Sequence, residues 1–123
     1  MTAAVAFVVP PPGLAPHTHF ELSPVEGAEG LFALAAREDA DLRLFLVDPR
    51  TVLADYAPEL SDAQATQLSL AEPDDALLLV VANPGVDGVH VNLLAPVVIN
   101  TATGAAAQVI LDDQDFPVRA PLG

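Results

Sequence analysis

Proline and glycine cut this chain into short pieces, and no other feature limits its fold as strongly. The 123 residues include 12 Pro and 7 Gly, placed mostly between runs of apolar and β-branched residues. Proline lacks a backbone donor and is excluded from helix interiors and central strands, while glycine supplies turn conformations. Long helices are therefore ruled out over most of the chain, and short strands joined by tight turns are favoured. Ala3 to Val9 is the first such run, stopped by Pro10-Pro11-Pro12-Gly13.

The later runs follow the same grammar. From His19 to Leu22 the pattern alternates, with Phe20 and Leu22 on one face and His19 and Glu21 on the other. Ser23-Pro24 ends it, and a loop covers 26–30. Leu31 to Ala36 is a second apolar run, followed by the polar turn Arg37 to Asp41. Leu42, Leu44 and Leu46 then share one strand face, with Arg43, Phe45 and Val47 opposite. Asp48-Pro49 ends that strand. Leu77 to Ala82 is apolar on both faces, as expected of a strand buried on both sides. Asn83 to Gly88 is turn chemistry, expected to be structural and not a ligand site. Val89, Val91 and Leu93 form one face of the next strand, Pro96 interrupts it, and Val97 to Ile99 continues. Thr101 to Gly104 turns the chain, Gln108 to Leu111 reads as the final strand, and Asp112 to Asp115 with Pro117 ends the pattern.

One helix is predicted. Ser61 is a good N-cap and Gln64 stands three residues on, which is the capping-box spacing. Ala65, Leu68 and Ala71 face inward, and Glu72-Pro73-Asp74-Asp75 closes the helix. The reading is one domain of seven or eight short strands and one helix, which suits a small antiparallel β-barrel or a sandwich. Hydrophobic residues make up 52% but aromatic ones only 5%. Ala, Val and Leu must fill the core, so stability is expected to be modest.

The charge narrows the function. The 17 Asp and Glu face only four cations, Arg37, Arg43, Arg50 and Arg119, for a formal net charge of -13. Such a chain repels phosphate backbones, so direct nucleic-acid binding is disfavoured and fast encounter with a basic protein is favoured. The same acidity also keeps an apolar chain soluble. No cysteine is present, which removes disulfide and thiolate chemistry. The apolar start has no basic flank, and no apolar run reaches the roughly 20 residues of a spanning helix. The expectation is a cytoplasmic protein with no membrane partner.

Catalytic signatures are lacking: there is no G-x-S-x-G elbow and no Gly-rich phosphate loop. His17 and His19 are spaced to share one side of a strand, but two histidines without a third ligand make a weak zinc signal. Asp112, Asp113 and Asp115 have the wrong spacing for an EF-hand loop. They read as a solvated acidic turn or as an acidic contact patch. His90 lies opposite Val89 and Val91 as an ordinary strand histidine. The expectation is no enzyme, no metal and no cofactor.

The C-terminal third supplies a resemblance. Asn92 to Thr101, Ala107 to Asp113 and the tail Phe116 to Leu122 are similar to the FliW family of flagellar assembly factors. Upstream, Asp41 to Pro49, Asp55-Tyr56-Ala57-Pro58 and the order of helix, acidic turn and apolar strand resemble the family's middle section. Gly13-Leu14-Ala15-Pro16 departs from the family's Gly-Leu-Pro-Gly-Phe segment. The resemblance implies a compact antiparallel β-barrel with one short helix. It also implies a partner switch: binding of flagellin and, when free, binding of the translational regulator CsrA, which relieves repression of flagellin synthesis allosterically. The chain is then expected to be a monomer when free. An acidic scaffold or chaperone for exported flagellar subunits, with no CsrA partner, is the alternative. Candidate partner-binding residues are Asn92, Leu94, Pro96 and Asn100 in the signature, and Asp112, Asp113 and Asp115 in the acidic turn. The first strand lacks the preceding strand usual in that family. It is therefore expected to be an edge that pairs with another strand or chain, or to continue a longer reading frame.

Overall fold

In the computed structural model the short runs become strands. The structure describes residues 3–10, 14–39, 41–52, 56, 58, 60–72, 75–85, 88–111, 114–117 and 119–121. The elements are β1 (Ala3–Phe7), β2 (His19–Pro24), β3 (Leu31–Ala36), β4 (Arg43–Val47), α1 (Pro49–Val52), α2 (Asp62–Gln67), β5 (Ala76–Gly85), β6 (Gly88–Val91), β7 (Val97–Asn100), β8 (Ala105–Gln108) and β9 (Ala120–Pro121). Seven strands, in the order β4-β3-β2-β1-β8-β7-β5, close into a barrel through a β4–β5 pairing, and β6 and β9 extend beyond β5. The length of β5 makes this possible. Ala76–Leu79 pair with β7, Val80–Ala82 with β4 and Ala82–Gly85 with β6. One strand therefore both closes the barrel and carries the extension.

Alternation decides which side chains fill the barrel. Val5 and Phe7 from β1, Phe20 and Leu22 from β2, Leu34 from β3, Leu46 from β4, Leu79 and Val81 from β5, and Ile99 from β7 make up its interior. Phe7 and Phe20 meet edge to face with centroids 5.3 Å apart. Opposite Phe7 the register places Ala106, which is fully buried. A small residue is what fits against a phenyl ring across one strand spacing. The other face of β5 is apolar too, because it is covered from outside. Val80 and Ala82 pack with Val47, Val91, Leu93 and Tyr56, while Leu78 packs with Val98, Ala107 and Leu68. Leu77 to Ala82 thus has the two-sided cover expected of it.

Several expectations need correction. β1 does pair with another strand, as one of its two expected outcomes had it, but it is no edge: it lies between β2, antiparallel, and β8, parallel. Among the described residues the β1–β8 pair is the one parallel neighbour in an otherwise antiparallel sheet. The last long strand begins at Ala105, not at Gln108, because the barrel accepts three alanines despite their low β propensity. Val109 and Leu111 lie past it, with their N–H groups donating to Pro96 O and Leu94 O. Val89 is 39% exposed and does not share the cover of Val91 and Leu93. Asp48-Pro49 does more than end β4. Asp48 Oδ1 accepts from the Arg50 N–H at 3.0 Å, and Pro49 takes the first position of α1, where its missing donor costs nothing.

The predicted capping box of α2 is present. Ser61 Oγ accepts from Gln64 N at 3.1 Å, and Gln64 Oε1 accepts from Ser61 N at 2.9 Å. The helix stops at Gln67, well before Glu72, and Ala71 is exposed. Ser69 adopts a left-handed φ of 55°, and the two bonds Leu70 N to Ala65 O and Ser69 N to Thr66 O form a Schellman turn. This terminator uses serine where glycine is usual, so the sequence carried no clear stop signal there.

Candidate functional site

The Schellman turn shapes one wall of a groove on the flank of the barrel. Bringing Leu70 back over Ala65 sets both beside Leu60, Pro58, Ala76 and Leu78, and these enclose about 520 Å³ on the outside of β5. Glu72 stands on its rim. A smaller hollow of about 210 Å³ continues from the shared residues Pro58, Ala76 and Leu78 to Tyr56, Pro49 and Arg50. The floor comes from the outward residues of β5 and the walls from α2 with its terminating turn and from Tyr56, Pro58 and Leu60. The result is an apolar trough.

Polar groups hold the walls. Asn100 is 1% exposed. Its Nδ2 donates to Leu68 O at 2.8 Å and to Ser69 O at 3.3 Å, and its Oδ1 accepts from Ala102 N at 2.9 Å. It therefore satisfies the carbonyls that the C-terminus of α2 leaves without partners. On the other side, Tyr56 donates its hydroxyl to Leu93 O at 2.6 Å and meets Phe116 edge to face with centroids 4.9 Å apart. Burial pushes its hydroxyl up to about 12. At the far end, Arg50 forks onto Asp48, with Nη2–Oδ2 at 2.8 Å and Nε–Oδ1 at 3.1 Å. The Arg50 hydrogen bond holds the Asp48 carboxyl below its ordinary value, against the opposing effect of burial.

The predicted site residues fall in different places. Asn92, half-buried, accepts at Oδ1 from Leu94 N and Ala95 N, both at 3.1 Å, and so folds the 92–95 turn. Leu94 packs against the α2 cluster. Pro96 is buried and its carbonyl receives Val109 N. Asn100 has no surface to offer a partner; it acts on the groove from behind by holding its wall. Asp115 is exposed, and Asp112 and Asp113 lie outside the described residues. The signature residues thus shape the flank of the barrel. The residues that line the groove, Leu60, Leu70 and Leu78, were not singled out from sequence. Their signal was available: Leu60 and Leu70 flank the helix and are apolar without belonging to any strand.

Around His17 the geometry is of another kind than paired strand ligands. His17 precedes β2, with Nδ1 3.8 Å from the Glu38 carboxylate, while His19 Nδ1 lies 3.2 Å from Thr18 Oγ1. Among the described residues no three His, Asp or Glu side chains are grouped to hold a metal ion. His90 Nδ1 lies 3.4 Å from Arg119 Nη2. No helix among the described residues is long and apolar enough to cross a membrane.

A closed seven-strand barrel with an apolar groove on its flank defines a small β-barrel module. The family model described as FliW protein matches residues 2–122. The chain is 31% identical over 113 residues to the flagellar assembly factor FliW of Clostridium botulinum, covering 90% of this chain and 79% of that one. It is 36% identical over 86 residues to FliW of Syntrophus aciditrophicus, covering 67% and 53%. A crystal structure of a flagellar assembly factor FliW superposes with a TM-score of 0.89 at 27% identity, covering 98% of this chain and 85% of that one. The chain belongs to the FliW family of flagellar assembly factors.

Proposed function

We infer that this chain is a non-catalytic partner switch in flagellar assembly. It binds flagellin and, when free of it, binds CsrA and relieves repression of flagellin synthesis, acting away from the RNA surface. The observation that carries this reading is the apolar groove beside β5 on a family member of net charge -13. A groove of this width suits an apolar edge of a protein segment better than a small polar metabolite. The acidity suits a cationic RNA-binding regulator, speeds encounter with it and disfavours RNA nearby. Binding is to protein and not to nucleic acid, and the free chain is a monomer in the cytoplasm.

Calorimetry tests this with cognate flagellin and cognate CsrA, for the wild type and for Leu70→Asp in the groove wall. The wild type binds both partners in competition and displaces RNA from CsrA. Leu70→Asp loses at least tenfold in affinity for one of them while its melting curve stays cooperative. Absence of both complexes at low salt defeats the reading. Binding of flagellin without CsrA leaves the scaffold alternative in its place.

A further inference from the structure

The outside of the barrel is covered unevenly. α2 lies over β5, β7 and β8, and Tyr56 and Phe116 lie over β5 and β6. β2 is the third strand from β5 in one direction around the barrel and the third from β7 in the other. On that far side the outward residues of β1 and β3 are small, with Ala4 and Ala6 exposed and Ala33 and Ala35 half-buried. Those of β4 are Arg43 and Phe45, both exposed. One end of this face holds a hollow. Ala6 stands opposite His19, and Arg37 N donates to His19 O at 2.9 Å, which carries the β2–β3 ladder past Ala36 and sets Arg37 in the same row. On the other side of β1, Ala6 N donates to Gly104 O at 2.9 Å. Gly104 comes so close that a Cβ there would lie 2.9 Å from Ala4 O, and Thr103 is thereby held beside β1. His19, Arg37, Thr103 and Gly104 enclose about 130 Å³ against β1.

The donors around the hollow suit an anion. Of the four Arg, Arg50 is forked onto Asp48 and Arg119 Nη2 lies 3.4 Å from His90 Nδ1. Arg37 Nε lies 3.9 Å from Glu21 Oε1, beyond hydrogen-bond distance, and both side chains are more than half exposed. That pair is loose, and the guanidinium fork is open to another carboxylate. Thr18 Oγ1 lies 3.2 Å from His19 Nδ1, which leaves Nε2 for a ligand. Thr103 Oγ1 accepts from Ala105 N at 3.2 Å, which leaves its hydrogen to donate. The next acids in sequence turn elsewhere, Glu38 to His17 and Asp39 to the Asp41 N–H. Metabolite pockets run to about 300–1,000 Å³. This hollow takes one functional group, so the rest of the bearer must lie on the surrounding face. In a chain of net charge -13 a monoanion is repelled less than a dianion. We propose that the hollow bounded by His19, Arg37 and Thr103 is a carboxylate-binding site, which receives an Asp or Glu side chain of a partner protein docked on the outer face of β1 to β3. Arg43, opposite Ala35 and one row from Arg37, offers a second cation to an acidic neighbour in the same segment. This face lies across the barrel from the groove, and the inference does not rest on the partner switch.

The test uses the full chain and the peptide N-acetyl-Ala-Ala-Glu-Ala-Ala-amide, followed by NMR at low salt. The amides of Ala6, Arg37 and Gly104 shift saturably, with a dissociation constant of about 1–10 mM. The same peptide with Gln in place of Glu binds at least fivefold more weakly. Arg37→Gln weakens the Glu peptide at least fivefold, whereas Glu21→Gln, which removes the competing carboxylate, tightens it at least twofold. Both changes are at exposed positions, and an unaltered thermal midpoint shows that the barrel is intact. If Arg37→Gln lowers the midpoint, Glu21→Gln decides alone, and binding no tighter than wild type overturns the proposal. Equal binding of the Glu and Gln peptides overturns it, as does an intact Arg37→Gln that binds like wild type, or the absence of saturable shifts up to about 50 mM peptide. Displacement of the peptide by an equal concentration of inorganic phosphate makes the hollow a general oxoanion site and overturns the assignment to a protein carboxylate. Shifts at these amides that grow with protein concentration alone make a second copy the occupant and overturn the assignment to a foreign partner.

Discussion

Replacing Asn100 by alanine separates a structural role from a contact role at a residue that belongs to the family signature. The side chain is 1% exposed and makes three hydrogen bonds. Two of the three partners, Ser69 O and Ala102 N, belong to exposed residues, and water can replace Asn100 there at little cost. The third, Leu68 O, belongs to a residue that is 1% exposed. An orphaned buried carbonyl costs roughly 1–3 kcal/mol, so Asn100→Ala should destabilise by about 2–3 kcal/mol. With an m-value on the order of 1.5 kcal/mol/M, the urea midpoint falls by about 1.3–2 M. Asn100→Asp should be worse at pH 7, because it sets a carboxylate against two carbonyl oxygens. Burial raises the pKa of that new carboxyl above its unfolded value of about 3.9. Its penalty is therefore absent when the group is protonated in both states and grows as pH rises. Asn100→Asp should thus recover toward wild type at pH 4 while Asn100→Ala does not. A midpoint for Asn100→Ala within about 0.3 M of wild type, or a penalty for Asn100→Asp that ignores pH, refutes this account of α2's C-terminus.

Four further outcomes are expected, three from the geometry and one from the acidic run of the sequence. Gly104 has φ +82° and an added Cβ would lie 2.9 Å from Ala4 O; Gly104→Ala should cost at least about 2 kcal/mol, read as a lowered thermal midpoint. Ser69, left-handed at the end of α2, should gain about 0.5–1 kcal/mol on change to glycine, read in the same melts. The Tyr56 hydroxyl, pushed up to about 12 by burial, keeps its proton longer in the folded than in the unfolded chain. Its contribution is complete below pH 10 and is lost as pH rises toward 12, and Tyr56→Phe should remove that part of the alkaline slope. Changing Asp112, Asp113 and Asp115 together to asparagine should leave stability unchanged or slightly raised. It should also slow association with CsrA and flatten its salt dependence in stopped-flow traces at two ionic strengths.

Much of the barrel is legible in single residues of the sequence. The Phe20–Leu22 and Leu42–Leu44–Leu46 alternations name the inward face because a strand has a period of two and one face must be dry. The Ser61–Gln64 box names the helix start because its two hydrogen bonds are local. The two-sided apolar run Leu77 to Ala82 announces the covered strand. The family, too, was readable from the run Asn92 to Asp113, and the family model bears that out. What failed were features that local chemistry underdetermines. Ala105–Gln108 is a strand because Phe7 needs a small neighbour across the β1–β8 pair, and β1 has that neighbour only once the barrel closes. The end of α2 depends on a left-handed serine secured by Asn100, 31 positions away along the chain. The groove exists only because the Leu70 turn, the Pro58 segment and the outer face of β5 converge. Periodicity and caps act over a few residues and can be read in order. Which small residue fits opposite which ring, and which loops meet over a strand, depends on closure of the chain on itself, and only the tertiary structure decides it.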